Sequence, residues 1–226
     1  MRTMITKFVA HPAAQLLLSL AARGATLPGV VGLILAGGRG TRLGRRKADL
    51  VLHGETLLAR AVRLVRPAVD RILVSVAAGA SLDLPGVEVV PDAFPGQGSI
   101  VGLATGLRAA GESVLALAVD MPFPNLALIR RLISLAPGWD AVIPRSRGWF
   151  EPLHAVYAPA CLPVFEELIR AGHFQIVPAF SRLRAFYLEE PEVARLDPEG
   201  LAFFNINTPS DLQQAEELVK DLRYEA

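Results

Sequence analysis

The stretch LILAGGRGTRLGRRK, residues 33–47, runs an uncharged apolar segment directly into four glycines and five basic side chains. A short apolar run bounded by glycine reads as a strand covered on both faces. The glycines that follow leave backbone N–H groups open to close approach, and a succession of such groups can line a concave anion site. The stretch therefore predicts a buried strand ending in a cationic loop.

The same kind of run recurs downstream. VVGLILA (30–36), RILVSVA (71–77), VEVVP (87–91), VLALAVD (114–120) and DAVIP (140–144) are compact and mostly uncharged inside, as strands of a parallel sheet are. Between them, Leu57, Leu58, Ala61, Val62 and Val65 recur at helical spacing, as do Ile100, Val101, Leu103, Ala104 and Leu107. Ser99 is read as the N-cap of that second helix. Residues 125–135 and 160–171 form further amphipathic segments, and TPSD predicts a C-terminal helix with Thr208 as N-cap, Pro209 at the first position and Asp211 closing a capping box. Alternating strands and helices predict an α/β fold: a doubly wound, mostly parallel sheet, Rossmann-like, with helices on both faces and ligands at the carboxyl ends of the strands.

Composition narrows the function. The chain has 226 residues, 52% hydrophobic and 20% charged, with a net charge of +1. That is ample material for a core and gives no overall field toward nucleic acid or an anionic membrane. A single cysteine, Cys161, excludes an intramolecular disulfide framework and fits a cytoplasmic protein, with the thiol itself a core filler. Residues 1–29 read as an extension of unknown role ahead of one domain, 30–226. The run AAQLLLSLAA within that extension resembles a signal-peptide core, but His11 and Pro12 break the pattern and the run is too short to span a bilayer.

Chemistry concentrates just after the predicted strands. The loop 37–47 carries Arg39, Arg42, Arg45, Arg46 and Lys47, a charge set suited to a polyphosphate. No Gly-Lys-Ser/Thr follows, and the glycine spacing is not that of the dinucleotide fingerprint. Read alone, the loop is also compatible with a solubilising surface. No aromatic residue interleaves with its arginines, which argues against nucleic acid. In VLALAVDMPF, Asp120 ends an apolar run, where a carboxylate facing a cationic loop suits Mg²⁺ held against nucleotide phosphates; a turn-capping aspartate is the alternative. In VVPDAFPGQGSIVGL, Asp92 follows a strand, and Gly96, Gln97 and Gly98 lead into a helix, either as a base- or ribose-binding loop or as an Asx turn. Asn205 and Asn207 alternate along an extended segment and face one side. His154 reads as a structural residue.

Five ordered motifs, LAGGRGTRLGRRK, VVPDAFPGQGSIVGL, VDMPF, EPLHAVY and FNINTPSDL, together resemble the molybdenum cofactor guanylyltransferases, nucleotidyltransferases with a glycosyltransferase-A-like fold. The resemblance runs from about residue 31 to 221. It implies transfer of GMP from GTP to the terminal phosphate of molybdopterin, or its molybdenum-loaded form, with release of pyrophosphate. It implies GTP contacts by Leu35, Ala36, Gly37 and Lys47, nucleotide binding by Asp92, and nucleotide and Mg²⁺ binding by Asp120. Asn205 and Asn207 are expected on the molybdopterin side, and molybdoenzyme maturation proteins are expected partners. Gly37-Gly38, where many related enzymes carry Ala-Gly, tilts the base toward guanine. The chain departs from the family at Arg46, where an acidic residue is common, and at Ser75, where asparagine is common. Ser75 remains a candidate for the base. The attacking phosphate is already an anion, so the implied chemistry needs positioning and charge stabilisation by Lys47 and Asp120 rather than a general base. A cytidylyl or sugar-phosphate sister enzyme, and a non-catalytic nucleotide carrier, are the competing readings.

Overall fold

A computed structural model describes residues 29–37, 46–79, 82, 84–92 and 98–224. Most of the basic glycine loop, residues 38–45, lies outside them, as do Gly96, Gln97 and residues 1–28 of the expected extension.

The strands form where the apolar runs predicted them: β1 (Val30–Leu35), β4 (Ile72–Val76), β5 (Glu88–Pro91), β6 (Ser113–Ala118) and β7 (Ala141–Ser146). A small hairpin, β2 (Val51–Leu52) and β3 (Glu55–Thr56), follows β1. Three more strands carry weaker sequence signals: β8 (Trp149–Phe150), β9 (His154–Tyr157) and β10 (Ala185–Leu188). The main sheet has the order β10-β7-β9-β6-β1-β4-β5, with β8 paired to β7. β1 pairs in parallel with β4 and β6, and β4 with β5, whereas β9 runs antiparallel to both its neighbours. The sheet is therefore mixed but mostly parallel, as expected.

Side-chain alternation along the strands divides the interior in two. Ile34, Val74, Leu115 and Leu117 face one layer, and Val31, Leu33, Leu73 and Ala116 face the other. The first layer is covered by α1 (Leu57–Val65), α3 (Leu126–Leu135), α5 (Glu190–Leu196) and α6 (Pro209–Tyr224), the second by α2 (Ser99–Ala110) and α4 (Leu162–Arg170). Helices thus cover both faces, as expected.

The helix starts show where the cap chemistry was read well and where it was not. Asp211 donates its N–H to Thr208 Oγ1 at 3.2 Å and accepts the Thr208 N–H at 2.8 Å, the reciprocal pairing of a capping box. Ser99, by contrast, is the first helical residue rather than the cap of α2. Gly98 caps it at φ 81°, with Phe174 O only 3.0 Å from where a Cβ would stand. A left-handed cap packed that closely admits only glycine. Among the described residues, no helix is long and apolar enough to cross a membrane.

The chain leaves β1 toward β4 and β5, then returns to the other side of β1 as β6. The strand order reverses there, so a crevice opens between the carboxyl ends of β1 and β6.

Candidate active site

Lys47 and Asp120 meet at this crevice. Lys47 opens a short 3-10 turn, Lys47–Asp49, that is pinned from below by the buried Ala48 and Leu50. Asp120 follows β6, where the Val119 N–H donates to Leu35 O at 3.2 Å and extends the β1–β6 ladder. The turn after Asp120 is anchored by buried Met121 and Phe123, and Arg60 of α1 donates to Pro122 O at 2.6 Å with its guanidinium 5.5 Å from the Phe123 ring centre. Both ends of the Lys47–Asp120 contact are therefore set by core packing.

The Lys47 ammonium donates to Asp120 Oδ2 at 2.5 Å and to Asn207 Oδ1 at 2.7 Å. Ile206 N–H donates to Asp120 O at 2.9 Å, and Asn207 N–H donates to Asp211 Oδ2 at 2.8 Å. The capping box of α6 thus holds Asn207 against Lys47. Those backbone bonds and the Lys47 charge hold the Asp211 carboxyl below its usual range. One ammonium hydrogen of Lys47 and one oxygen of Asp120 remain without described partners, so the pair presents a donor and an acceptor to a ligand. Asn205 takes no part: its Nδ2 donates to Phe203 O at 2.9 Å, two residues back. The two asparagines that alternate in sequence have separate jobs. Arg46, one residue before Lys47, is engaged elsewhere, in a surface pair with Asp49 at 2.7 Å, and such exposed pairs contribute little.

A second group lies at the ends of β4 and β5. Asp92 donates its N–H to Val76 O at 2.8 Å, and its carboxylate accepts from the Ser75 hydroxyl. Burial raises the Asp92 carboxyl above its ordinary range, partly offset by Ser75. Ser75 is 1% exposed, so it stands behind Asp92 and not at the surface of the crevice. Gly37 and Gly102 make room for this pair. A Cβ on Gly37 would lie 2.6 Å from Asp92 Oδ2, and one on Gly102 would lie 2.7 Å from Ser75 Oγ. Leu35 and Ala36 are buried, with Leu35 O taken by Val119 and the Ala36 N–H by Ser75 O at 2.8 Å. Gly37 is the first residue past the ladder.

His154 and Cys161 are structural, as read. The Cys161 thiol is buried, donates to Asp140 O at 2.9 Å and is pushed up to about 12, mainly by burial. His154 is fully buried, edge-on to Phe203 at 5.2 Å, and neither ring nitrogen closes a hydrogen bond among the described residues. Burial lowers its pKa to about 4, with the Ala202 backbone acting in the opposite direction. The folded state thus holds this imidazole neutral, whereas the unfolded chain protonates it near pH 6.5. Its contribution to stability is complete above pH 6.5 and falls as pH drops toward 4, by up to ~3 kcal/mol. His154→Leu should flatten the melting temperature between pH 4 and 6.5 relative to the wild type; an unchanged pH slope in thermal melts would contradict the buried neutral imidazole.

Glu151, within the EPLHAVY motif, carried no assignment from sequence. It is a half-buried carboxyl that burial pushes up to about 7, with Arg147 pulling the other way. The available signal was a glutamate held between Phe150 and Pro152, immediately before a strand.

A lysine–aspartate pair and a glycine-framed carboxylate thus lie at the carboxyl ends of neighbouring strands, an arrangement that can take both an anion and a cation. Residues 32–185 match the family described as MobA-like NTP transferase domain. The chain is 37% identical over 206 residues to a molybdenum cofactor guanylyltransferase of Rhizobium meliloti, covering 85% of this chain and 92% of that one. It is 33% identical over 193 residues to a probable molybdenum cofactor guanylyltransferase of Pelotomaculum thermopropionicum, covering 85% and 94%. Among solved structures, molybdopterin-guanine dinucleotide biosynthesis protein A of Archaeoglobus fulgidus superposes with a TM-score of 0.73 at 29% identity, over 84% of this chain and 99% of that one. The 2-C-methyl-D-erythritol 4-phosphate cytidylyltransferase of Thermus thermophilus shares the fold, with a TM-score of 0.63 at 21% identity over 83% and 98%. The chain belongs to the molybdenum cofactor guanylyltransferase family.

Proposed function

We propose that the protein transfers GMP from GTP to the terminal phosphate of molybdopterin, or of its molybdenum-loaded form, giving molybdopterin guanine dinucleotide and pyrophosphate. The observation that carries this reading is the bridge from Lys47 to Asp120 and Asn207 at the switch point, in a chain of this family. An oxygen of the acceptor phosphate attacks the α-phosphorus of GTP; the new P–O bond forms as the bond to the β-phosphate bridging oxygen breaks, and pyrophosphate leaves. Lys47 neutralises charge that develops on the phosphates, at a fixed position and with little reorganisation. Gly37, with the adjoining Leu35 and Ala36, lets the nucleotide approach the backbone. Asp92 binds the nucleotide, held in orientation by Ser75. Asn207 belongs to the acceptor side and also orients Lys47; Asn205 braces the same segment.

Among the described residues, no three His, Cys, Asp or Glu side chains are grouped to hold a metal. Mg²⁺ does not need such a cage, since it commonly takes one or two carboxylates and completes its shell with phosphate and water. The partnerless oxygen of Asp120 fits that role. Bound there, Mg²⁺ would supply charge neutralisation and orientation of the phosphates. The same reading takes residues 30–226 as one nucleotidyltransferase domain in a cytoplasmic protein that passes its product to molybdoenzyme maturation partners.

The test is incubation of purified protein and molybdopterin with GTP, CTP, UTP or ATP and Mg²⁺, scored by pyrophosphate and product mass. GTP alone should yield the dinucleotide. Preference for CTP would overturn the guanine assignment, and binding of GTP without pyrophosphate release would indicate a carrier.

A further inference from the structure

The first turn of α1 is bonded to both halves of the Lys47–Asp120 contact. On one side the Leu50 N–H donates to Lys47 O at 3.1 Å and closes the Lys47 turn, and the Leu57 N–H donates to Leu50 O at 2.8 Å. On the other side Arg60 donates its Nε–H to Pro122 O at 2.6 Å, with its guanidinium 5.5 Å from the Phe123 ring centre. Leu57 and Arg60 are three residues apart and so are neighbours on the helix surface. A single turn of α1 therefore carries both attachments. That turn is itself firmly seated: Thr56 Oγ1 accepts the Ala59 N–H at 3.2 Å, and Leu57, Leu58, Ala61, Val62 and Val65 are buried.

The stretch after Asp120 depends on such a donor. Pro122 and Pro124 have no N–H, so their neighbourhood is tied mainly through its carbonyls and through the Phe123 ring. Phe123 passes the constraint on, because its ring stands edge-on to Phe204 at 5.9 Å. Phe204 belongs to the segment whose Ile206 N–H donates to Asp120 O and whose Asn207 accepts from Lys47. Both acceptors of the Lys47 ammonium thus lie on chain that the Phe123 turn touches. The Asp92 cradle is held elsewhere, by Ser75 and Val76 of β4 and by the space that Gly102 leaves in α2.

We infer that Arg60 is a positioning residue for the transfer. By tying the Asp120 turn to the helix turn that carries the Lys47 turn, it sets the separation of ammonium and carboxylate, acting through Pro122 and Phe123. Its effect on rate rests on the proposed reaction, so the tie is also tested without turnover.

The experiment compares Arg60→Met and Arg60→Lys in the full-length protein. Methionine keeps the apolar stem and loses donor and charge, whereas lysine keeps a cation and a donor but not the planar fork. Arg60→Met should lower kcat ~10- to 30-fold, the scale of a small misplacement of reacting groups, with KM for GTP within about twofold of wild type. Arg60→Lys should fall between the two. In an Asp120→Asn background, Arg60→Met should cost less than about twofold more, since its effect runs through Asp120. Amide exchange, followed by NMR in the absence of substrates, should be at least about tenfold faster at Ile206 in Arg60→Met, while Leu33 and Leu115 in the sheet keep their rates. If the methionine variant fails to fold, Arg60→Gln, which also lacks the cation, takes its place with the same expectations. Wild-type kcat in the folded variant overturns the assignment, as does a change confined to KM for GTP. Equal acceleration at Ile206, Leu33 and Leu115 also overturns it, because Arg60 would then add only general stability. If the wild type releases no pyrophosphate, the transferase reading falls and the Ile206 exchange alone decides whether Arg60 holds the Asp120 turn.

Discussion

Asp120→Asn lowers pyrophosphate release from GTP and molybdopterin by about 1000-fold, with most of the loss in kcat. Asparagine keeps the shape of the side chain, and its Oδ1 can still accept from Lys47, now 2.5 Å from Asp120 Oδ2. It lacks the negative charge with which Asp120 would hold Mg²⁺ beside the phosphates. Its backbone carbonyl still accepts the Ile206 N–H, so the Asn207 segment stays in register. The variant should therefore fold and melt near the wild-type temperature while losing turnover. Rates measured across a Mg²⁺ titration check this, because Asp120→Asn should also need more Mg²⁺ to reach its residual maximum. A variant with wild-type kcat would remove Asp120 from the metal and phosphate chemistry.

Lys47→Met slows turnover by roughly 100-fold, equivalent to about 2.7 kcal/mol of transition-state stabilisation. Methionine retains much of the apolar stem and removes only the ammonium. Two partners lose their donor, Asp120 Oδ2 and Asn207 Oδ1, but neither becomes a sealed, unsatisfied group, since Asn207 is exposed and Asp120 is 16% exposed. The stability cost is accordingly limited to roughly 1 kcal/mol. Lys47→Arg should not rescue the rate, because a planar guanidinium cannot reproduce a compact ammonium bridging two oxygens at 2.5 and 2.7 Å. Single-turnover rates at saturating GTP separate this from weaker binding. A Lys47→Met enzyme that matches wild-type kcat while its KM for GTP rises would make Lys47 a binding residue only.

The two predictions differ in what the residues share. Asp120 and Lys47 are hydrogen-bonded, so their losses should not add, and a double variant should fall little below Asp120→Asn alone.

Much of this site was legible in the chain because its signals are local. Buried parallel strands announce themselves as short uncharged runs, and the candidate site residues Asp92 after β5 and Asp120 after β6 stand at their carboxyl ends, where ligands bind in such sheets. The capping box at Thr208 was legible for the same reason, its partners being three residues apart. Ser99 misled because a cap depends on backbone conformation as well as side-chain chemistry, and the left-handed Gly98 took the position. β10 carries Ala, Phe, Tyr and Leu between polar segments, too short and too weakly patterned to stand out.

The sequence by itself determined the alternation of elements, the family and the candidate residues Lys47, Asp92 and Asp120 beside the strand ends, since each follows from periodicity or from motif chemistry within a few residues. Tertiary structure decided which of those residues meet. Lys47 and Asn207 touch across 160 residues, Ser75 turns out to stand behind Asp92, and β9 inserts antiparallel between β6 and β7. Those pairings depend on strand order and register, which are set when separate apolar faces are buried against one another, and no local pattern encodes them.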